Sequence, residues 1–197
     1  MPPIDVGQKA PSFRLLAGHG GEISLDDFRG RSHAVVWFTK GMACPFCRTQ
    51  MSQLARGYPR LKAAGAEVLM ITPTRPDRAR FYARNFSIPF VYLCDPDYVA
   101  HQDWGVVVRR HSIVWYAKLA VTMSRMEKPM AEIGNPKPTL GEFPALLHDS
   151  DMALFVVDRG GIVRYRQLTA YAGPDGFSEI PSVDEILAQV ERCAKSA

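Results

Sequence analysis

Cys44 and Cys47, two cysteines separated by Pro45 and Phe46, have the type and spacing needed for chemistry. A cysteine thiolate attacks disulfide sulfur or peroxide oxygen, and a second thiol one helical turn away captures the product as a disulfide. Pro45 suits the first turn of a helix, since it has no N–H to leave unsatisfied. The motif predicts a redox centre that cycles between dithiol and disulfide, with Cys44 and Cys47 as its catalytic residues.

The expected position of Cys44 at the start of a helix favours its thiolate. Unsatisfied backbone N–H groups and the positive end of the helix dipole lie there. The basic residues Lys40 and Arg48 flank the motif and add to this field. We expect Cys44 to be the more exposed cysteine of the pair, and Phe46 to offer an apolar surface on which a partner chain docks.

Two buried strands and one helix are predicted to position the motif. The run His33–Thr39 is short, apolar and rich in β-branched and aromatic residues, which is typical of a strand buried on both faces. A helix follows from Cys44, and Pro59 is expected to kink or divide it. Gly65 ends this helix, and Ala66–Thr72 predicts a second buried strand in a right-handed, parallel unit.

The next segment predicts a helix, a strand and a brief second helix. Thr74 is a candidate cap for a helix that runs to Asn85, with a proline and an aspartate in its first turn. Phe90–Cys94 predicts a third strand, and the short helix after it is closed by Gly105.

The C-terminal part predicts a hairpin and a final helix. Ala153–Val157 and Ile162–Arg166 flank a turn sequence with two glycines, which is typical of antiparallel strands. Ser182 and Glu185 have the spacing of a capping box. The apolar stripe expected on the last helix comprises Ile186, Leu187, Val190 and Ala194.

Parallel strands early in the chain and an antiparallel hairpin late predict a mixed sheet with helices on both faces. This is a three-layer α/β/α sandwich, which we expect to form a single domain over 1–197. The stretch Val106–Ser150 fits that plan poorly and predicts an insertion. A stretch of that length is typical of a lid, a binding element or an oligomer contact such as a homodimer interface, and equally of an embellishment packed on the core.

The composition is that of a globular chain, with 197 residues, 47% hydrophobic and 22% charged. No apolar run approaches the ~20 residues of a membrane helix, and Met1–Asp5 lacks the features of a secretory signal. We therefore expect no membrane partner and a cytoplasmic location. The net charge of +4 is spread along the chain, so no nucleic-acid partner is expected.

Other roles for the cysteines compete with redox cycling. Cys44 and Cys47 have the spacing of half a zinc site, but a second pair at matching spacing is absent from the sequence. An iron–sulfur cluster lacks the further cysteines it needs. Two inert buried thiols are the third alternative. Cys94 and Cys193 fit buried packing positions. Either is also a candidate resolving cysteine, Cys193 in particular because a position near the chain end allows movement.

Five blocks of sequence resemble the alkyl hydroperoxide reductase and thiol-specific antioxidant (AhpC/TSA) family, the peroxiredoxin-like branch of the thioredoxin fold. They are Val6–Phe13, Ile23–Gly30, Cys44–Cys47, Gly65–Val68 and Leu154–Gly161. The resemblance implies a thioredoxin-like sandwich and a peroxiredoxin-like antioxidant or disulfide exchange activity. It implies a peroxide or protein disulfide substrate, a thiol reductant such as thioredoxin or glutathione, and neither a cofactor nor a metal.

The chain departs from the family pattern around the motif. Typical peroxiredoxins carry a proline, three residues, a threonine or serine, two residues and the peroxidatic cysteine. With Cys47 in the peroxidatic position, Cys44 stands in place of the threonine and Lys40 in place of the proline. With Cys44 there, Gly41 and Trp37 take those places.

A second departure concerns the strand that begins near Leu154. The family's distant arginine is expected just before this strand, where the sequence has Asp151 and Met152. Met152 also stands where thioredoxins place a cis-proline opposite their motif. A redox-inactive binding or regulatory module that holds a partner through Val106–Ser150 is the alternative reading of these departures.

Overall fold

The central feature of the fold is one mixed β-sheet. The computed structural model describes residues 4–106, 133–134, 136–142, 152–169 and 181–195. Within these residues the strands are β1 Arg14–Ala17, β2 Glu22–Ser24, β3 His33–Phe38, β4 Ala66–Thr72, β5 Val91–Cys94, β6 Met152–Val157 and β7 Val163–Thr169. They are ordered β2-β1-β5-β4-β3-β6-β7 across the sheet.

Helices flank the sheet in the same described ranges. The α-helices are α1 Pro45–Ala63, α2 Pro76–Asn85, α3 Val99–Asp103 and α4 Val183–Lys195. Short 3-10 helices occupy Leu25–Phe28 and Leu140–Glu142. No helix among the described residues has the length and apolar character needed to cross a membrane.

The middle of the sheet is formed by β3 and β4, which are buried along their whole length. They pair in parallel, with Val36 opposite Leu69. On its other side β3 pairs antiparallel with β6, where Val36 lies opposite Phe155. Continuous apolar sequences of this kind are typical of strands buried on both faces. β3 is therefore packed on both faces and hydrogen-bonded to a neighbouring strand on each side. The motif therefore follows a strand that is paired on both sides and buried along its whole length.

The two faces of the sheet carry separate cores. Leu54 of α1, Tyr82 of α2 and Val190 of α4 pack in one cluster on the first face. Trp104, just after α3, packs with Phe38 of β3 in the second cluster. Helices therefore cover both faces, and the predicted three-layer α/β/α sandwich with a mixed sheet is confirmed.

Two local predictions are wrong, and a third is wrong in part. Helix α1 is continuous through Pro59, so the predicted division is wrong, and the alternative of a kink there stays a prediction. The N-cap of α2 is Arg75 rather than Thr74, and it makes no side-chain capping bond. Ala194 is exposed, because the buried stripe of α4 passes through Cys193 instead. By contrast, the capping box is present, since the Glu185 N–H donates to Ser182 Oγ at 3.2 Å.

Part of the expected insertion is described. Val106 and Ile133 are buried, and residues 136–142 lie beside α2, where Glu142 accepts a hydrogen bond from the Tyr82 hydroxyl. The remainder of Val106–Ser150 lies outside the described residues, so the lid, homodimer and embellishment hypotheses stay predictions.

The contact between α1 and α4 predicts a stability effect at Gly57. A methyl group added there would overlap the side chain of Val183, the first residue of α4. Gly57→Ala is expected to lower the free energy of unfolding by about 1–3 kcal/mol through this overlap, although alanine is the better helix former. Urea denaturation measures the change.

Gly141→Ala is the matched control for this prediction, because a methyl group there meets open space. Its free energy of unfolding should stay within about 0.5 kcal/mol of the unsubstituted protein. Equal stability of the two variants would contradict the packing described for Gly57.

Candidate active site

The cysteine motif lies at one edge of the sheet, where several strands end or begin together. The Thr39 N–H, just after β3, donates to the carbonyl of Ile71 in β4 at 2.9 Å. Since β6 is antiparallel to β3, its first residue, Met152, lies at the same edge. The carboxyl ends of parallel strands are the usual position for sites in open α/β sheets.

A tight turn directs the chain from β3 into α1. Gly41 has φ +79°, a conformation that residues with a Cβ rarely adopt, and its N–H donates to Thr39 Oγ1 at 3.0 Å. A methyl group at Gly41 would lie 3.2 Å from Thr74 Oγ1. The Cys44 N–H then donates to the Gly41 carbonyl at 3.2 Å. The sequence at Gly41 thus sets where the first cysteine sits.

Both cysteine sulfurs receive backbone N–H groups. Cys44 is the N-cap of α1, and its Sγ accepts the N–H of Cys47 at 3.3 Å. Cys47 Sγ accepts the N–H of Lys40 at 3.3 Å. Cys44 therefore lies at the helix start, as predicted, and such donors stabilise a negative charge on sulfur.

Met152 completes the surroundings of the second cysteine. Its Sδ lies 3.2 Å from Cys47 Sγ, across the gap between β6 and α1. Met152, which the sequence comparison set at the expected position of the thioredoxin cis-proline, is thus in contact with the motif. A thioether offers only a weak acceptor, so it pairs with a thiol S–H and gives no support to an anion. Asp151 lies outside the described residues.

The pair is enclosed. Cys44 is 1% exposed and Cys47 0%, so both cysteines are buried and the predicted difference in exposure between them is negligible. Phe46 is 9% exposed and belongs to the core cluster, so it is not the exposed docking surface that we expected. Lys40 is also buried. The helix start turns these side chains toward the sheet, and a reactant reaches the sulfurs only after a local opening.

A buried chain of hydroxyl groups, which was not predicted from the sequence, lies beside the turn. Thr72 Oγ1 donates to Tyr92 Oη at 3.4 Å, and Tyr92 Oη donates to Thr74 Oγ1 at 2.9 Å. Burial is the main cause of the raised pKa of Tyr92. The tyrosine therefore stays protonated and acts as a fixed donor behind Thr74. Separate strands bring these groups together, so no local sequence pattern signals them.

The other two cysteines, Cys94 and Cys193, are buried in the same core cluster as the motif. Cys94 ends β5, and burial raises the pKa of its thiol to about 11. Burial likewise raises the pKa of the Cys193 thiol on α4. Both are therefore neutral near pH 7, as the packing interpretation requires. Among the described residues no group of three or more His, Cys, Asp or Glu side chains could hold a metal ion.

Comparison with known proteins identifies the family. The model of the AhpC/TSA family matches residues 6–166, most of the chain. The chain belongs to the AhpC/TSA family. This confirms the resemblance read from the sequence blocks, including those on either side of the cysteine motif.

Curated relatives of this AhpC/TSA protein are peroxiredoxins. Chloroplastic peroxiredoxin Q of Populus jackii is 33% identical over 103 residues, which cover 52% of this chain and 48% of that protein. Peroxiredoxin Bcp of Escherichia coli strain K12 is 32% identical over 106 residues, covering 54% of this chain and 67% of that protein. The chain thus spans about half the length of the first relative and two thirds of the second.

Solved structures share the fold of this AhpC/TSA chain. Reduced 2-Cys peroxiredoxin of Plasmodium vivax superposes with a TM-score of 0.67 at 17% identity, covering 97% of both chains. AhpC of Mycobacterium bovis gives a TM-score of 0.63 at 18% identity, covering 100% of this chain and 96% of that chain. The predicted thioredoxin-like fold is confirmed.

Proposed function

We propose that this protein is a thiol-dependent peroxidase in which Cys44 and Cys47 form the redox centre. Membership of the AhpC/TSA family and the named peroxiredoxin relatives support the reaction class. One observation carries the assignment of the residues. The two sulfurs lie at the start of α1, and each accepts a hydrogen bond from a backbone N–H. Neither a metal nor an organic cofactor enters this chemistry.

Burial favours a peroxide over a protein disulfide as the substrate. A mixed disulfide between two proteins brings their Cα atoms to within about 4.4–6.8 Å. Cys44 is 1% exposed and is held to the turn by the hydrogen bond from its N–H to the Gly41 carbonyl, so a second backbone reaches it only after a large rearrangement. A hydroperoxide needs room for only its terminal oxygens. A small opening of the turn is enough to admit it.

The contacts of the two sulfurs favour Cys44 as the attacking cysteine. Its Sγ lies at the N-terminal end of the helix dipole and accepts a backbone N–H. Cys47 Sγ has a donor in Lys40 but also faces the thioether of Met152, which suits a thiol better than a thiolate. Cys47 therefore takes the role of the resolving thiol.

Oxidation of the protein runs in two steps, and its reduction follows. The Cys44 thiolate attacks the terminal oxygen of the hydroperoxide, the O–O bond breaks, and the alkoxide leaves as an alcohol after taking a proton. Cys44 becomes a sulfenic acid. The Cys47 sulfur attacks that sulfur, water leaves, and a Cys44–Cys47 disulfide forms. An external dithiol or two monothiols then reduce the disulfide and are themselves oxidised.

Two assays with the reduced protein test the proposal. With dithiothreitol as the reductant, hydrogen peroxide is expected to be consumed catalytically, and insulin disulfides are expected not to be reduced above the dithiothreitol background. Insulin reduction without peroxide consumption would overturn the proposal in favour of disulfide exchange. The absence of both activities would overturn it in favour of the binding module.

Substitutions of the remaining cysteines provide a further prediction. Cys94→Ala and Cys193→Ala are expected to leave the rate of peroxide consumption within about twofold, because both thiols are buried and neutral near pH 7. The rate is followed by loss of hydrogen peroxide at pH 7. A loss of steady-state turnover in Cys193→Ala would instead make Cys193 the resolving cysteine.

Thioredoxin or glutathione as the physiological reductant, the homodimer and the cytoplasmic location are the finer parts of the proposal. The family supports a peroxide substrate and a thiol reductant as classes. The choice of reductant depends on a surface recognition step that follows disulfide formation.

A further inference from the structure

A cavity of about 220 Å³ adjoins the turn that leads into the motif. The turn contributes Lys40, Gly41 and Met42 to its wall. The remaining lining residues come from the start of α2 and from the described part of the insertion, and they are Pro73, Thr74, Arg75, Arg78, Thr139, Gly141 and Glu142. None of the reaction steps above uses this space.

Cationic groups dominate the wall. Lys40, Arg75 and Arg78 line the cavity, and Glu142 is the carboxylate that lines it with them. Thr74 and Thr139 add hydroxyl groups. Three positive charges against one negative charge make the cavity attractive to an anion.

The charge of Glu142 is already engaged by the protein. Its carboxylate accepts the Tyr82 hydroxyl at 2.8 and 2.9 Å, and the Thr139 N–H and hydroxyl at 2.8 and 2.9 Å. Arg78 Nη2 lies 3.4 Å from it. These bonds fix residues 139–142 as a wall of the cavity. Arg75, by contrast, is 79% exposed, and its 3.4 Å pair with Asp77 is of the exposed kind that contributes little.

The cavity is coupled to the redox pair through Lys40. Lys40 lines the cavity, and its backbone N–H donates to Cys47 Sγ at 3.3 Å. A molecule bound against Lys40 therefore contacts a residue that is itself hydrogen-bonded to the motif. The volume is below the ~300–1,000 Å³ of drug-sized sites, so the ligand is a small molecule.

We propose that this cavity binds the carboxylate, or an equivalent acidic group, of the small molecule that reacts with the Cys44–Cys47 centre. The inference rests on the proposed function and names the substrate class of the same site. The acidic group belongs either to an organic hydroperoxide in the oxidative half-reaction or to a low-molecular-weight thiol in the reductive one. In both cases the bound anion holds the reacting atoms beside the turn at Gly41.

Matched pairs of reactants separate the two sources. In the peroxide arm, tert-butyl hydroperoxide is compared with a tertiary alkyl hydroperoxide that carries a terminal carboxylate and with the amide of that acid. In the thiol arm, the oxidised protein is reduced by 3-mercaptopropionate, 2-mercaptoethanol or cysteamine. Each thiol's rate is divided by its rate with hydroxyethyl disulfide, which corrects for intrinsic reactivity. In at least one arm the acid is expected to react about tenfold faster than its neutral partner, and 0.5 M NaCl should reduce this preference.

Arg75→Gln tests the cavity, and Arg84→Gln is its control. Both variants remove one exposed positive charge from the region of α2, but Arg84 lies in the last turn of the helix and does not line the cavity. Arg75→Gln is expected to lower the preference for the acid about threefold or more, and Arg84→Gln to leave it unchanged. Equal rates for acid and neutral reactants in both arms, or equal effects of the two variants, would overturn the inference.

A binding measurement separates this inference from the proposed function. The Cys44→Ser/Cys47→Ser protein is titrated calorimetrically with glutarate and with glutaramide. Binding of glutarate alone, weakened in the added Arg75→Gln background, supports the cavity even in a protein that consumes no peroxide. Catalytic turnover without acid preference and without glutarate binding would leave the peroxidase standing and overturn the cavity.

Discussion

Peroxide consumption by the Cys44→Ser variant is expected to fall on the order of 10³-fold or more, since loss of a nucleophile removes the chemical step itself. A serine hydroxyl at the N-cap still accepts the Cys47 N–H, so helix α1 should be retained. It forms neither a thiolate at neutral pH nor a disulfide. Loss of hydrogen peroxide, followed at pH 7 with dithiothreitol present, measures the change.

The Cys47→Ser variant is the matched comparison and is expected to differ in kind. Its first turnover should remain, because Cys44 keeps its place at the helix start. The sulfenic acid on Cys44 then lacks its resolving thiol and should be trapped by dimedone, with a label at Cys44 on peptide mapping. A dimedone label on Cys47 in the Cys44→Ser variant, with peroxide consumption intact for one turnover, would reverse the order of the two cysteines.

The second large effect is expected at Asp95, which follows β5 at the same edge of the sheet. Its carboxylate accepts a hydrogen bond from the ring Nδ1–H of His101 at 2.6 Å. It also accepts hydrogen bonds from the backbone N–H groups of Val99 and His101, at 2.9 and 3.0 Å. The side chains of Asp95 and His101 are both buried. The His101 ring packs edge-on against the Phe38 ring, with 4.9 Å between the ring centroids. Asp95→Ala is expected to lower the free energy of unfolding by about 3–5 kcal/mol, because it leaves three N–H donors without their acceptor in a buried site.

The effect of Asp95→Asn on the free energy of unfolding is expected to depend on pH. Burial raises the pKa of Asp95, but hydrogen bonds from His101 and from the backbone outweigh it and leave the pKa below its ordinary value. A carboxyl of this kind contributes stability that is complete above its unfolded pKa of about 3.9 and is lost as the pH falls below it. The stability difference between wild type and Asp95→Asn, measured in urea, should therefore shrink between about pH 5 and pH 3. A difference that stays constant over that range would contradict the assignment.

The sequence predicted the elements whose burial is continuous. The start of β3 and both ends of β4 were predicted, since their apolar runs are bounded by turn residues such as Gly65. The strands β1 Arg14–Ala17 and β2 Glu22–Ser24 were missed. They are short, they mix exposed with buried residues, and their pairing with each other and with β5 is a tertiary contact.

The candidate site was predicted in its chemistry but not in its surroundings. The position of Cys44 at the start of α1 was predicted, because a proline directly after it is typical of the first turn of a helix. The enclosure of both sulfurs was not predicted, because it depends on tertiary contacts such as that of Met152, which reaches Cys47 from β6, more than a hundred residues further along the chain. The link between Tyr82 and Glu142, which walls the cavity, spans 60 residues and has no local signal.

Peptide mapping of the reduced protein after one equivalent of hydrogen peroxide tests the central claim most directly. The account predicts one new disulfide, between Cys44 and Cys47, with Cys94 and Cys193 still alkylated as free thiols after unfolding. The peroxide should be consumed in the same step, with one disulfide formed per peroxide. Four free thiols after this treatment, or a disulfide that joins either motif cysteine to Cys94 or Cys193, would contradict it.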